Sequence, residues 1–290
     1  ISLYYDTNNS GHDGTLITNN LSAITHSSYV WNTSSLSIGE YHIYAKIDDG
    51  VNPSVYHYAN GNVTVVPIKL NDTAITWGGE YLLGNNSTCT GGTIEQQDCS
   101  HGCDDQAAAG TLTKVGGGAA GFDFTRLNAD GSEYTGSGNY NSQPWACVRD
   151  NHTGLIWEVK TDDGSIHDKD NVYRWGGKTA LVTQQARDDG WGEFYDDWDT
   201  LVDGSNNENF CGFADWRVPT LMELMTITNK DTFNPAVDSN YFPNVRSSDY
   251  WSSSPYAGSE SNAWRVSFGY GYNAYGTRSD GYHVRLVRSG

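Results

Sequence analysis

Between Phe213 and Arg288 the chain alternates apolar and polar residues in short runs, and clusters of Gly, Asn, Ser and Asp separate those runs. Successive strand side chains point to opposite faces, so SDYWSSS, NAWRVSFG and YHVRLVR each read as a half-buried strand. The clusters between them supply turns and long exposed loops, because those residue types favour turn dihedrals. LMELMTI follows Pro219 and Thr220 with helical spacing. Pro219 suits a first helical turn, and the helix would bury Leu221, Leu224 and Met225. The expectation is a small α+β unit whose antiparallel ribbon carries a loop rich in Tyr, Ser, Asn and Arg.

The same stretch carries a resemblance. CGFADWRVPTLMEL, NPAVDSNYFP, YWSSSPY and the closing VRLVR, in that order, resemble the Lcl C-terminal domain family of bacterial surface proteins. The likeness extends upstream to CVRDNHTGLIWEVK, which begins at Cys147, and to HDKDNVYRWGG, His167 to Gly177. It covers about half of the chain. The resemblance implies a C-type-lectin-like fold and a role in adhesion and the binding of surface glycans. It also implies a disulfide between Cys147 and Cys211.

At 290 residues the chain suits two domains of ordinary size. An aromatic content of 13%, with 10 Trp and 19 Tyr, argues against disorder despite 33 Gly. No apolar run approaches the ~18 residues of a membrane span. The chain opens at Ile1 on a strand-like pattern without Met or signal peptide, so a processed or trimmed chain is expected. A formal charge of -18 repels nucleic acid and anionic lipid, suits a secreted protein, and provides carboxylates for calcium. Against that average, Arg265, Arg278, Arg285 and Arg288 gather near the C-terminus, where strand arginines most often form structural ion pairs.

Five cysteines, without CxxC pairs or histidines at finger spacing, argue against zinc. In an extracellular chain they favour disulfides. Cys89 with Cys99 suits a local loop staple, which leaves Cys103 either free or bonded between molecules.

Residues 1–67 run as ISLYYD, GTLIT, SSYVWNT, GEYHIYAKIDDG, VYHYA and NVTVVP. Turn signals about every ten residues give the pattern of a β-sandwich. This segment resembles an immunoglobulin or fibronectin type III-like module, short by one or two strands at its start. An open sandwich edge would have to be covered or paired with another chain. Asp6, Asn8 and Ser10, with Gly11, have the spacing of a calcium loop but lack its later Glu, so a polar hairpin turn competes with calcium. Residues 68–144 read as an ordered, disulfide-stapled insertion. In it TAITWGGEY is one strand, and GGGAAGFDFTRLNADGSEY is a hairpin turning at Asn128–Gly131. Residues 145–290 form the lectin-like domain. Trp191, Phe194, Tyr195, Trp198 and Leu201 place a helix near Glu193–Asp203. Asp188, Asp189, Glu193, Asp196, Asp197 and Asp199 crowd its start, where capping and solvation compete with a bound divalent ion.

Catalysis is not expected. His101, His152, His167 and His283 stand in unrelated segments, and there is no GxSxG, HExxH or P-loop. The formylglycine-generating enzymes, which share the broad fold class, depend on a late cysteine pair; here none follows Cys211. Binding is the better account. Aromatic faces stack on sugar rings while Asn, Asp, Ser and Arg bond hydroxyls or acidic groups. Tyr256, Tyr270, Tyr272, Asn273, Tyr275 and Arg278 are the candidate ligand residues, with Trp251, Trp264 and Phe268 assigned to the core. Asp162, Asp163, Asp168 and Asp170 are the candidate calcium ligands of the lectin-like domain. Animal C-type-lectin signatures are absent, which argues against calcium-bridged sugar. The expected fold class is mainly β with an α+β C-terminal domain, and the expected location is extracellular or the bacterial cell surface. A surface glycan or protein is the expected partner. The alternative is a structural subunit that self-assembles through its open sheet edge into a filament or sheath.

Overall fold

The computed structural model describes residues 1–19, 21–22, 31, 36, 39–65, 71–80, 84–89, 97–181 and 194–290. The protein is mainly β and divides into two compact units, Ile1–Ile68 and Lys69–Gly290.

In the first unit β1 (Ser2–Asp6), β2 (Thr15–Thr18), β3 (Gly39–Ile47) and β4 (Val55–Val65) form an antiparallel sheet in the order β2-β1-β3-β4. VYHYA and NVTVVP, read from sequence as two strands, belong to one. The register jumps from His42↔Asn62 to Tyr44↔Tyr58, so Ala59, Asn60 and Gly61 bulge opposite Ile43 and pairing resumes beyond them. Tyrosines organise this sheet: Tyr44 is buried, stacks on Tyr4 at 4.9 Å and meets Tyr58 edge-on at 5.0 Å. Apart from Trp31, SSYVWNT lies outside the described residues.

The second unit begins with a short hairpin, β5 (Gly78–Glu80) and β6 (Gly84–Asn86), so TAITWGGEY supplies only its glycine end as strand. Helix α1 (Gly102–Ala108) follows. One sheet is built from β7 (Phe124–Leu127), β8 (Cys147–Asp150), β9 (Leu155–Glu158) and β13 (Val287–Ser289), in the order β13-β9-β8-β7. The turn after β7 closes at Asn128–Gly131, where Gly131 N donates to Asn128 O at 3.0 Å. The other sheet is β10 (Asp249–Pro255), β11 (Asn262–Ser267) and β12 (Asn273–Thr277), in that order.

Helix α2 spans Asp199–Asn207, later than the apolar spacing predicted. Trp198, Leu201 and Val202 bury as a helix would, but Tyr195 pairs in extended form with Gly176. A Cβ on Gly176 would lie 1.8 Å from the Tyr195 carbonyl oxygen, so that bridge requires glycine. Helix α3 (Leu221–Thr226) starts with a capping box: Thr220 Oγ1 accepts from Glu223 N, and the Glu223 carboxylate accepts from Thr220 N. Pro219 therefore precedes the cap rather than occupying the first turn. Leu224 is fully buried, with Leu221 and Met225 half-buried against the same core.

YHVRLVR departs most from its half-buried reading. From His283 to Val287 every residue is buried, and regular strand begins only at Val287. Trp251 N donates to His283 O on one side, and Val287 pairs with Trp157 on the other, so the segment is enclosed on both faces. Its alternate positions are polar without being exposed, and Arg285 must find partners in the interior.

A surface hairpin, an acidic loop and a buried ionic hub

The β11–β12 hairpin presents the aromatic residues singled out by sequence, but in two groups. Trp264 pairs across the strands with Tyr275. The Tyr256 ring stacks on Tyr275 at 4.5 Å and 16°, and Trp264 meets Tyr256 edge-on at 5.1 Å. Tyr275 is 52% exposed on the edge strand, with Asn273 and Thr277 exposed beside it. Alternate residues Ala274 and Gly276 face inward; a Cβ on Gly276 would come within 2.7 Å of the Tyr282 ring. The second pair, Tyr270 and Tyr272, is 64% and 50% exposed at the hairpin tip, with centroids 6.3 Å apart. Gly271 turns there at φ +73, and Lys230 Nζ donates to its carbonyl. Trp251 and Phe268 are core, whereas Trp264 is only half-buried and belongs to the platform with Tyr256 and Tyr275.

Arg278 does not belong to that surface. It shares the inward parity of Ala274 and Gly276, is 0% exposed, and lies 4.3 Å over the Trp175 ring while its Nε donates to Asn262 O at 3.3 Å. Burial pushes its guanidinium down to about 10. The alternation of NAYGTR carried this signal, since Asn273, Tyr275 and Thr277 cannot face solvent together with Arg278. The other C-terminal arginines are structural too: Arg265 pairs with Asp249, and Arg288 with Asp215 at 2.7 Å.

The acidic loop gathers three of its four candidates. Asp162, Asp168 and Asp170 bring carboxylate oxygens within 4.8 Å of one another, while Asp163 turns away to accept from Thr161 and Ser165 N. Lys169 pairs with Asp162, and Arg246 with Asp170. Asp168 accepts from the backbone N–H groups of Asp163, Gly164 and Asp170. The loop thus carries its own cations, and Asp168 shapes its turn. In the first unit Asp6 is buried, with its carboxylate accepting from Tyr58 OH at 2.8 Å and from Asn8 N, while Asn8 Oδ1 accepts from Ser10 N. These are nested side-chain turns closed on themselves. Before α2, Asp188, Asp189 and Glu193 lie outside the described residues; Asp197 pairs with Arg174, and Asp199 accepts from Lys178 N. A further acidic group, Asp72, Asp98 and Asp104, escaped sequence reasoning because its members are scattered along the chain. Asp104 is fully buried, and burial pushes its carboxyl up to about 6.

Residues 146–288 match the family model of the Lcl C-terminal domain. This stretch is an Lcl C-terminal domain. No curated protein and no solved structure matches the chain. The domain suggests a bacterial surface or adhesion-type protein. Its own disulfide, Cys147–Cys211, together with Cys89–Cys99 upstream, fits the oxidising environment of a secreted or surface protein. Cys103 is free and half-buried, and burial pushes its thiol up, away from the reactive thiolate. Among the described residues no helix is long and apolar enough to cross a membrane.

Inside the Lcl domain lies a polar hub that the sequence did not reveal. Glu158 is fully buried at the end of β9; it accepts from Lys160 Nζ at 2.9 Å, His167 Nδ1 at 2.7 Å and Leu286 N at 2.8 Å. His167 Nε2 reaches Glu208 at 2.5 Å, and its ring stacks on Phe210 at 4.0 Å. Arg285 donates to the Glu158 carbonyl. Ionised carboxylates only accept, so a ring that bonds one through each nitrogen carries both protons. Burial opposes both charges. For Glu158 the nearby Lys160 and His167 outweigh it and hold the carboxyl at about 2; for His167 the bonds to Glu158 and Glu208 raise the imidazole above its ordinary 6.5.

Two signs follow for stability. The His167 contribution is complete below pH 6.5 and is lost as pH rises through the higher folded value. The Glu158 contribution is complete above its ordinary 4.5 and is lost as pH falls toward about 2. Thermal denaturation from pH 4 to 9 should therefore show an alkaline decline that His167→Gln flattens. Parallel profiles for the two proteins would remove the doubly protonated histidine from the account.

Proposed function

We propose that this protein is a non-enzymatic adhesion protein of the bacterial surface that binds glycan through the Tyr256–Trp264–Tyr275 platform. A C-type-lectin-like fold for residues 145–290 is part of the same reading. The observation that carries it is an aromatic cluster at the edge hairpin of the Lcl domain, in which exposed Tyr275 stacks on half-buried Tyr256 beside half-buried Trp264, flanked by Asn273 and Thr277. Such rings offer flat apolar faces to the C–H face of a sugar, and the neighbouring amide and hydroxyl can bond its hydroxyl groups. The buried ionic hub supports a non-catalytic reading, because both nitrogens of His167 are occupied by structural partners.

The test is a glycan array followed by calorimetry on the best binder, for wild type and Tyr275→Ala. Losing one stacking ring should weaken binding about tenfold, since aromatic contacts contribute about 0.5–1.5 kcal/mol beyond area burial. An unchanged melting temperature would confirm an intact fold, as Tyr275 lies on the surface. Equal affinity for the two proteins would remove the platform from the site. Calcium and chelator arms are included, because a calcium requirement would move the site toward the Asp162, Asp168 and Asp170 loop.

A further inference from the structure

We infer that the platform's ligand is an uncharged oligosaccharide rather than a sulfated, phosphorylated or uronic-acid glycan. The inference rests on the glycan reading above and narrows its chemistry. Recognition of an anionic sugar needs a cation, and guanidinium is favoured because it pairs bidentately with carboxylate, sulfate or phosphate oxygens. Arg278, three residues after Tyr275, is fully buried with its guanidinium over the Trp175 ring. Arg265, on the central strand, is held by Asp249.

The pattern extends beyond the hairpin. Every described lysine and arginine is already engaged by a carboxylate, a carbonyl oxygen or an aromatic face. Recruiting one to a ligand would break an interaction already made. In the loops bounding β11 and β12 the exposed charged residues are Glu260 and Asp280, both acidic, while Arg278 is buried. On a chain of formal charge -18, an anionic ligand would meet repulsion, and among the described residues any compensating cation would have to leave a partner it already has. A neutral hexose chain meets no such cost, because its contacts are ring stacking and hydroxyl hydrogen bonds.

The two aromatic pairs bear on ligand length. Tyr275 projects from β12, whereas Tyr270 and Tyr272 are exposed at the hairpin tip before β12 begins at Asn273. Two exposed stacking points on one hairpin suit several consecutive rings better than a single sugar.

The experiment uses the full chain and two panels of linear oligosaccharides. One is neutral (glucose, mannose and N-acetylglucosamine oligomers); the other is anionic (sulfated and uronic-acid oligomers). Affinities are measured by calorimetry at low and high sodium chloride. The expected result is binding confined to the neutral panel, longer chains bound more tightly, and a change of less than about twofold across salt, because screening acts only on charge pairs. Tyr272→Ala should weaken long chains more than short ones. Binding to the anionic panel that falls with salt overturns the neutral-ligand inference while leaving the glycan reading in place. Absence of binding to both panels, by protein with a cooperative melting transition, overturns both.

Discussion

Glu158→Gln is expected to destabilise the Lcl domain by about 3–5 kcal/mol, the range for breaking a buried ion pair by removing one partner. Among the described residues Glu158 is the one carboxylate paired with the buried Lys160 ammonium, and it takes one nitrogen of His167. The amide that replaces it keeps the shape and the acceptor for Leu286 N, but leaves a lysine cation buried beside Arg285 without its paired carboxylate, with only the more distant Asp168 to offset it. The cost is mainly that unpaired cation rather than a lost attraction, because pairing two ions in the interior barely offsets their desolvation. Adding Lys160→Met should therefore restore part of the loss. Urea denaturation of the wild type, the single and the double variant checks this. A loss below about 1 kcal/mol in the single variant, or a double variant worse than the single, would mean the hub is not held by charge.

Removing the Cys147–Cys211 disulfide by paired alanine substitution should cost about 4 kcal/mol. The bond closes a loop of sequence separation 64, and chain-entropy reasoning makes the gain grow with loop length. Cys89–Cys99, with a separation of 10, should contribute about 3 kcal/mol by the same relation. Packing widens the gap, because Cys147 and Cys211 are both fully buried in the core beside Leu127, Ile156 and Trp216. The long bridge ties the start of β8 to the turn before Trp216, and so holds the opening strand against the segment that leads into α3. Melting temperatures of the two paired variants should fall in that order, the larger drop being roughly 10 °C for a unit of this size. Equal drops would show that loop length does not set the effect here.

The chain's local signals were read with success where the cause is local. Alternation located β10 and β11, although Tyr250 to Ser253 of β10 are all buried rather than alternately exposed; the Asn128–Gly131 turn followed from turn chemistry, and Thr220 with Glu223 has the spacing of a capping box. The Lcl motifs lie on such elements, which is why the family was legible from residues alone.

What needed the tertiary structure has a common physical origin: contact between segments distant in sequence. Whether an alternating run is half-buried or enclosed depends on what covers its second face, so YHVRLVR and its Arg285 could not be placed from periodicity. Arg278 looked like a ligand residue until the inward parity of β12 met Trp175, about a hundred residues earlier. The hub joins Glu158 and Lys160 to His167, Glu208 and Arg285, and Asp72, Asp98 and Asp104 meet only once their loops pack. Sequence by itself determined the mainly β class, the family of residues 146–288 and the aromatic character of the surface hairpin. Only the fold decided which aromatics stand together and which charges are withdrawn into the interior, because burial and pairing are properties of packed surfaces and not of periods along a chain.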